Sequence, residues 1–166
     1  MSGLIGKAGE AWVAAQLLRR GFNVAYPALD KGVDLIAYRE GNLCCSVPIQ
    51  VKTASKQLYR FHKSVFRVPG IVLVQVWHME SVPQCYIFND IERVEEALGE
   101  HAATPSWTVD GVWRTGNPGN ETLQRMKPHL EKWCRIESRL MPGQSAFAAA
   151  KPHTPVVGDD GQEQSA

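Results

Sequence analysis

Four polar side chains in the first third of the sequence are of types that can act together on a phosphate ester: Glu10, Asp34, Gln50 and Lys52. Carboxylate and amide oxygens bind a hard divalent cation, which neutralises phosphate oxygens and activates water. A lysine beside such a site can stabilise the charge of the transition state or position the attacking water. These residue types therefore suit metal-assisted hydrolysis, provided that the fold brings them together.

Glu10 lies within the first predicted helix, which runs from about Leu4 to Arg20 and ends before Gly21, a residue suited to a left-handed cap. A carboxylate on an apolar helix face needs a cation or another partner. At 100° per residue, the residues that share its face are Val13, Ala14, Leu17 and Leu18. The alternative is an ordinary glutamate near the helix start, where the helix dipole favours negative charge.

Two segments that follow are typical of a β-hairpin. The first strand is predicted over Val33–Tyr38 and the second over about Leu43–Lys52, with a tight turn around Gly41 between them. Pro48 interrupts the second strand and predicts a bulge or an edge position there.

This hairpin would assemble the candidate site. Counted outward from the turn, Asp34 approaches the end of the second strand that holds Gln50 and Lys52, given the bulge. Strand alternation puts Gln50 and Lys52 on the same face. Aspartate is depleted in strands, so its presence in an apolar one indicates a strand start, a basic partner or a metal.

The remaining elements complete a mixed sheet with helices on its faces. Residues 53–70 are predicted to be a polar, basic linker with aromatic residues. The further strands are Phe22–Tyr26, Ile71–Trp77 and Gln84–Phe88, and the further helices are Ile91–Leu98, capped by Asp90, and a last amphipathic helix ending near Arg139.

Length and composition indicate one globular domain: 166 residues, of which 44% are hydrophobic and 21% charged. We expect this domain to occupy residues 1–140 and residues 141–166 to be a disordered tail. The four cysteines lack the spacing of a zinc site and are expected as buried free thiols in a reducing, cytoplasmic setting. No apolar stretch is long enough for a membrane span, and no secretory signal is recognisable.

The net charge of +1 conceals an uneven distribution. Residues 1–70 hold ten Lys and Arg against four Asp and Glu, whereas residues 71–166 hold eight against thirteen. A basic half that contains every candidate site residue suits a polyanionic partner. A small-molecule enzyme has no support, because the sequence has neither a glycine-rich phosphate loop nor a Ser/His/Asp arrangement.

Three ordered segments resemble the PD-(D/E)XK nuclease superfamily. They are Gly9-Glu10 with Ala14-Ala15-x-Leu17-x-x-x-Gly21-Phe22-x-Val24, then Gly32-Val33-Asp34-Leu35-Ile36-Ala37, and then Ile49-Gln50-Val51-Lys52. The similarity is greatest to the branch of archaeal Holliday-junction resolvases, modified-DNA restriction endonucleases and a cyanobacterial homing endonuclease. It covers about residues 3–77 with the following sheet and helix. It implies an α/β, restriction-endonuclease-like mixed β-sheet flanked by helices, with an αβββαβ-type core.

The resemblance also implies roles for individual residues. Asp34 matches the metal-binding aspartate, Lys52 the catalytic lysine, and Glu10 the helix glutamate that helps to bind metal. The backbone carbonyl of Val51 is a further implied ligand. Gln50 stands where the family has Asp or Glu, which removes a negative charge and should weaken Mg²⁺ binding. A Gln-x-Lys variant is nevertheless known in this resemblance, and the implied cofactor is Mg²⁺, with Mn²⁺ as a substitute.

Residues after the lysine suit a nucleic-acid path, because Lys and Arg side chains on accessible backbone contact phosphates. The candidates are Lys56, Tyr59, Arg60, His62, Lys63 and Arg67, with Thr53 and Ser55 as further phosphate donors. The alternative is a solvated loop with some core aromatics. Four tryptophans are expected in the core rather than as stacking platforms: Trp77, Trp107, Trp113 and Trp133.

Together these features predict a Mg²⁺-dependent endodeoxyribonuclease that hydrolyses phosphodiester bonds in DNA, with RNA as a substrate left open. Cutting both strands with so small a domain would ordinarily need a homodimer. The competing hypothesis is a catalytically weak or inactive nuclease-like module that binds DNA or a protein partner.

Overall fold

The computed structural model describes residues 2–29, 31–40, 42–116 and 118–140, without the side chains of residues 2 and 42–44. The predicted tail and Gly41 of the predicted turn lie outside the described residues. Within those ranges, no helix has the length and apolar character needed to cross a membrane.

From the first helix to the helix Ile91–Leu98, the predicted elements occur in the predicted order, with one additional strand in the predicted linker. The α-helices are α1 (Ser2–Leu18), α2 (Ile91–Leu98), α3 (Pro105–Thr108), α4 (Asn120–Met126) and α5 (Cys134–Glu137). The strands are β1 (Asn23–Ala25), β2 (Leu35–Arg39), β3 (Asn42–Thr53), β4 (Tyr59–His62), β5 (Val72–Trp77), β6 (Gln84–Phe88) and β7 (Val112–Thr115). Short 3₁₀ turns cover Lys63–Arg67, Gly99–Ala103, Lys127–His129 and Ser138–Leu140.

Five strands form a mixed sheet in the order β1-β2-β3-β5-β6. All neighbours are antiparallel except β3 and β5, which are parallel. The predicted fold class, a mixed sheet flanked by helices, is therefore confirmed. The connection between the parallel strands consists of β4 and the 3₁₀ turn Lys63–Arg67, where an αβββαβ-type core has an α-helix.

Two apolar clusters lie on opposite faces of this sheet. Leu17 of α1 packs in one cluster with Ile49 and Val51 of β3. Leu73 of β5 belongs to the other cluster, together with Phe61 of β4 and residues of α2 and α3. Because side chains alternate along a strand, β3 turns Ile49 and Val51 toward α1 and the residues between and after them toward β4.

Strand β4 pairs with β7 in a second, two-stranded antiparallel sheet, which we call the β4–β7 ribbon. It replaces part of the predicted linker. Tyr59 and Phe61 are fully buried, and the Tyr59 ring lies 5.0 Å from that of Trp77. The Tyr59 hydroxyl donates to the carbonyl of Thr122 at 3.0 Å, and Trp77 Nε1 donates to that of Leu58 at 2.9 Å. These contacts fix the ribbon on the main sheet.

The predicted last helix is wrong as a continuous element. Proline has no amide hydrogen and its ring clashes with the preceding turn, so Pro128 ends α4 in the 3₁₀ turn Lys127–His129. Glu131 then adopts a positive φ of 52° before α5 begins. The segment is held in place because Glu131 accepts hydrogen bonds from Trp133 Nε1 at 2.6 Å and Cys85 Sγ at 3.3 Å.

Two smaller predictions also differ from the structure. Leu18, expected on the apolar face of α1, is 56% exposed because the helix ends there. The thiols of Cys45, Cys85 and Cys134 are free as expected, but only that of Cys85 is buried, and Cys134 is exposed. The side chain of Cys44 lies outside the described part of the chain.

A glycine sets how closely α1 approaches β3. A Cβ atom added at Gly9 would overlap with the side chain of Thr53, whereas one added at Gly6 would meet no atom within 4 Å. Gly9 is buried, and it directly precedes Glu10. The absence of a side chain at Gly9 therefore brings Glu10 to the end of β3.

We predict that Gly9→Ala lowers stability by roughly 1–3 kcal/mol, because the new methyl group forces α1 away from Thr53. Helix propensity alone predicts the opposite sign, since alanine in a helix is favoured over glycine by about 1 kcal/mol. Urea unfolding of both variants measures the difference. Gly6→Ala is the matched control and should be neutral or stabilising; a stabilised Gly9→Ala protein would refute this contact.

Candidate active site

Asp34 lies immediately before β2 and is tied to β3 by two hydrogen bonds. Its backbone amide donates to the Ile49 carbonyl at 2.9 Å, and its Oδ2 accepts from the Val51 amide at 2.7 Å. These bonds bracket Gln50 on the neighbouring strand. The hairpin therefore brings Asp34 to the end of β3 that was predicted from the sequence.

The irregularity that permits this pairing is not where we predicted it. Pro48 pairs with Ile36 in regular register, and the shift lies instead between Tyr38 and Arg39, next to the turn. The two strands have different numbers of residues between the turn and the regularly paired segment, and the register shift next to the turn accommodates this difference.

Gln50 and Lys52 extend from the face of β3 opposite to α1 and line a cavity of about 450 Å³. The residues around it come from the loop before β2, from β3, from β4 and from the following 3₁₀ turn. They are Lys31, Gly32, Gln50, Lys52, Arg60, His62, Ser64, Val65 and Val68. Gln50 is only 8% exposed, and its Oε1 has no hydrogen-bond partner among the described residues.

The cavity is cationic. Its described lining contains Lys31, Lys52, Arg60 and His62 and no carboxylate. Burial first, and then the charges of Arg60, Lys52 and Arg114, lower the pKa of His62 below its ordinary value. The positive charges of Arg60, Lys52 and Arg114 near one imidazole make an environment that an anion would stabilise.

Gln75 is a site residue that we did not predict. It neighbours Lys52 in the parallel register of β3 and β5 and is 1% exposed. Its Nε2 donates to the carbonyl of Arg60 at 2.9 Å, while its Oε1 is buried without a partner in the described structure. A glutamine inside the apolar run of β5 was the available sequence signal. Gln75 thus joins β5, the strand next to that of Lys52, to the β4–β7 ribbon.

Glu10 approaches β3 from the side of α1, opposite to Gln50 and Lys52. Its carboxylate pairs with the Lys7 amine at 2.7 Å, and its side chain is 12% exposed. The packing of Gly9 against Thr53 brings it near the strand end, one residue beyond Lys52. The structure thus gives Glu10 an ion-pair partner and a position beside β3, not on the cavity face.

The predicted nucleic-acid residues fall into three groups. Arg60 and His62 line the cavity, while Lys56 and Arg67 are exposed and Ser55 is half-buried. Lys63 is already engaged: its Nζ lies 3.8 Å from Glu95 Oε1 and 4.9 Å from the centre of the Trp107 ring. Two residues are inaccessible: Tyr59 is in the core, and the hydroxyl of Thr53 is buried against α1.

The core prediction is confirmed for three tryptophans, namely Trp77, Trp107 and Trp133; Trp113 is half-buried.

The donor atoms at this site fit a magnesium-like cation. Mg²⁺ is usually held by one or two carboxylates and keeps several water ligands. Asp34 supplies a carboxylate, and Gln50 Oε1 is a buried oxygen for which the described residues provide no donor. No group of three His, Cys, Asp or Glu side chains able to hold a metal occurs in the described ranges. Among the described residues, the site therefore has fewer carboxylates than a three-carboxylate centre.

Comparison with known proteins finds similarity among solved structures. No protein-family model and no curated protein sequence matches the chain. Among solved structures, it is similar to Hjc, a Holliday junction resolvase from the archaeal hyperthermophile Archaeoglobus fulgidus, with a TM-score of 0.38 and 17% identity. The alignment covers 53% of this chain and 74% of that chain.

We predict that the pKa of His62 rises toward its ordinary value in Lys52→Ala, because one of the cations that disfavour the imidazolium is removed. NMR titration of the imidazole resonances measures this pKa. Lys56→Ala removes an exposed lysine that does not contribute to the shift and is the matched control. An unchanged His62 pKa in Lys52→Ala would contradict the proximity of the two groups.

Proposed function

We propose that this protein is a Mg²⁺-dependent endonuclease of the PD-(D/E)XK type that hydrolyses phosphodiester bonds in DNA, with Mn²⁺ as a substitute cofactor. One observation supports the proposal most: Asp34, the unpartnered amide oxygen of Gln50 and Lys52 lie together on paired strands beside a cationic cavity. The cations of the cavity would balance the charge of an anionic substrate, and the oxygen atoms of Asp34 and Gln50 would bind a divalent cation.

Asp34, Gln50 and the Val51 carbonyl would hold the cation, and Glu10 would add a carboxylate from α1. When bound, the cation supplies positive charge to the phosphate oxygens and makes water more acidic. Lys52 lies beside this set on the cavity face, where its ammonium stabilises the charge that develops on the phosphorane-like transition state or orients the attacking water.

Arg60 and His62 occupy the opposite wall of the cavity, on β4. We propose that they bind backbone phosphate of the substrate next to the phosphate at Lys52, since neither makes an ion pair with a carboxylate in the described part of the chain. Two-strand cleavage would need two copies of the domain, so we propose a homodimer for that activity. RNA is the alternative substrate, and the cleavage assay below compares it with DNA.

A second candidate function has its own supporting observation. Asp34 is the one carboxylate next to Gln50 and Lys52 in the described geometry, because glutamine replaces the acid of the family motif and Glu10 lies on the other side of β3. A weak metal site would leave a cationic module that binds DNA without cutting it efficiently. Metal-dependent thermal stabilisation distinguishes the two functions, because only a bound cation stabilises the folded state.

We predict that purified protein cleaves DNA with Mg²⁺ or Mn²⁺, and that Lys52→Ala and Asp34→Asn each lower the rate by about 10²-fold or more, as does the loss of one charge-stabilising group in other enzymes. Asp34→Asn keeps an oxygen that can accept from the Val51 amide but removes the charge. The measurement uses branched, duplex and single-stranded DNA and single-stranded RNA.

Lys132→Ala is the matched control for that assay, because Lys132 is exposed and lies in the segment before α5. Its cleavage rate should equal that of the unsubstituted chain. Cleavage that persists in Lys52→Ala at the full rate would exclude the proposed site and indicate a contaminating nuclease or different residues.

We predict that Gln50→Glu strengthens the response to metal. Without a divalent cation the variant should melt at a lower temperature, because a second carboxylate is buried beside Asp34 at a position that is 8% exposed. With Mn²⁺ it should show a larger rise in Tm than the unsubstituted protein, since the site gains a charged ligand. A Tm that is indifferent to Mn²⁺ in both proteins would favour the binding module.

A further inference from the structure

Two arginines face each other directly across the β4–β7 ribbon. Arg60 of β4 pairs with Arg114 of β7, and residues in such pairs point to the same side with Cβ atoms about 4.5–5.5 Å apart. Like charges in this arrangement destabilise a sheet. Both side chains are exposed, and neither makes an ion pair or hydrogen bond with a carboxylate in the described ranges.

Three other arginines in the described ranges have acidic partners, namely Arg20, Arg93 and Arg125. Arg93 lies 2.8 Å from Glu96, and Arg125 lies 2.5 Å from Glu121. The chain is rich enough in carboxylates to neutralise a ribbon arginine, yet the described ribbon carries none at the pairing positions. The facing arginines thus form a concentrated positive charge that the described part of the chain leaves uncompensated.

This charge is continuous with the cavity. His62 lies two residues after Arg60 on β4, so its side chain extends from the same face of the ribbon. Both residues line the cavity together with Lys52. The electrostatic effect of Arg114 reaches the same imidazole, since its charge is one of those that lower the pKa of His62. One positive surface therefore runs from Arg114 through Arg60 to Lys52.

We propose that Arg60 and Arg114 jointly bind one backbone phosphate of the nucleic-acid strand, adjacent to the phosphate held at Lys52. This inference rests on the proposed function. Guanidinium groups bind phosphate oxygens through paired N–H donors, and an anion between two arginines turns their repulsion into attraction. Because the contact is to phosphate and not to base edges, it holds the strand in place without reading its sequence.

The ribbon is well suited to set a distance between two phosphates. The carbonyl of Arg60 accepts from Gln75 Nε2 at 2.9 Å, and Gln75 neighbours Lys52 on the main sheet. On the other strand, the Val112 carbonyl accepts from Ser106 at 2.5 Å. Binding groups on rigid, hydrogen-bonded elements keep their geometry better than groups on loops. Arg60 and Arg114 are therefore positioning residues for the phosphate at Lys52.

The test measures binding of fluorescently labelled DNA by anisotropy at several salt concentrations, in EDTA so that no strand is cut. Arg60→Ala and Arg114→Ala should each weaken binding about tenfold and reduce the slope of log K against log salt by about 1. The double variant should lose less than the sum of the single losses, because both arginines hold the same phosphate. Arg19→Ala, an exposed arginine of the chain segment after α1, is the matched control.

A second readout separates binding from structure. Arg114→Thr removes the repulsion and introduces a good strand former, so the free protein should melt at a higher temperature at low salt while DNA binding weakens. A lower Tm with weaker binding would mean that Arg114 only supports the ribbon. Addition of inorganic phosphate instead of DNA should raise Tm little; a phosphate effect equal to that of DNA would assign the pair to a small anion.

The failures of the two proposals can be told apart. If the unsubstituted chain binds and cuts DNA but Arg114→Ala binds like Arg19→Ala, the arginine pair has no such role and the proposed function stands. Fully additive losses in the double variant would overturn the shared phosphate. If the unsubstituted chain neither binds nor cuts nucleic acid, the proposed function itself is wrong, and the phosphate-binding role of Arg60 and Arg114 is then wrong as well.

Discussion

The hydrogen bond from the Val51 amide to the Asp34 carboxylate fixes the register on which the rest of the site depends. With the bond from the Asp34 amide to the Ile49 carbonyl, it holds the start of β2 against a defined stretch of β3. A slip of one residue would turn Gln50 and Lys52 toward α1 and would expose apolar side chains in the cavity. The buried pairing of α1 with β3 opposes that slip, so the packing of one face secures the chemistry of the other.

The arrangement has a cost in the free protein. Gln50 and Gln75 each bury an amide oxygen without a partner in the described structure, and an unsatisfied buried group costs about 1–3 kcal/mol. The cations of the cavity add mutual repulsion. Such features are uncommon in a core that serves stability alone, and they are expected where a ligand supplies the missing charge and donors. The two apolar clusters supply the stability that offsets them.

Local patterns were sufficient for the strands of the main sheet and for α2. Branched and aromatic runs predicted β5 and β6, the Asp90 cap predicted α2, and the spacing around the turn predicted the approach of Asp34 to Gln50. The break after α4 could have been predicted, because Pro128 stands inside the proposed helix. An amphipathic pattern that continues past a proline does not imply a continuous helix.

The ribbon was beyond local prediction for a different reason. Its strands are four residues each and are separated by about fifty residues in the sequence, so neither has a neighbour that would identify it as a strand. The alternation in Tyr59-Arg60-Phe61-His62 is visible once the pairing is known. The face-to-face arginines depend wholly on that pairing, because no linear pattern connects Arg60 to Arg114.

Arg114 also changes how the charge distribution should be understood. By sequence it belongs to the acidic part of the chain, residues 71–166, yet the ribbon brings it to the basic surface of residues 1–70. Several carboxylates of the acidic part are already engaged, as in the pairs with Arg93 and Arg125, and others lie away from the cavity. The near-neutral total is therefore compatible with a polyanion-binding surface, because folding separates charges that the sequence only partly separates. Long-range attraction of a nucleic acid depends on this local field rather than on the net charge.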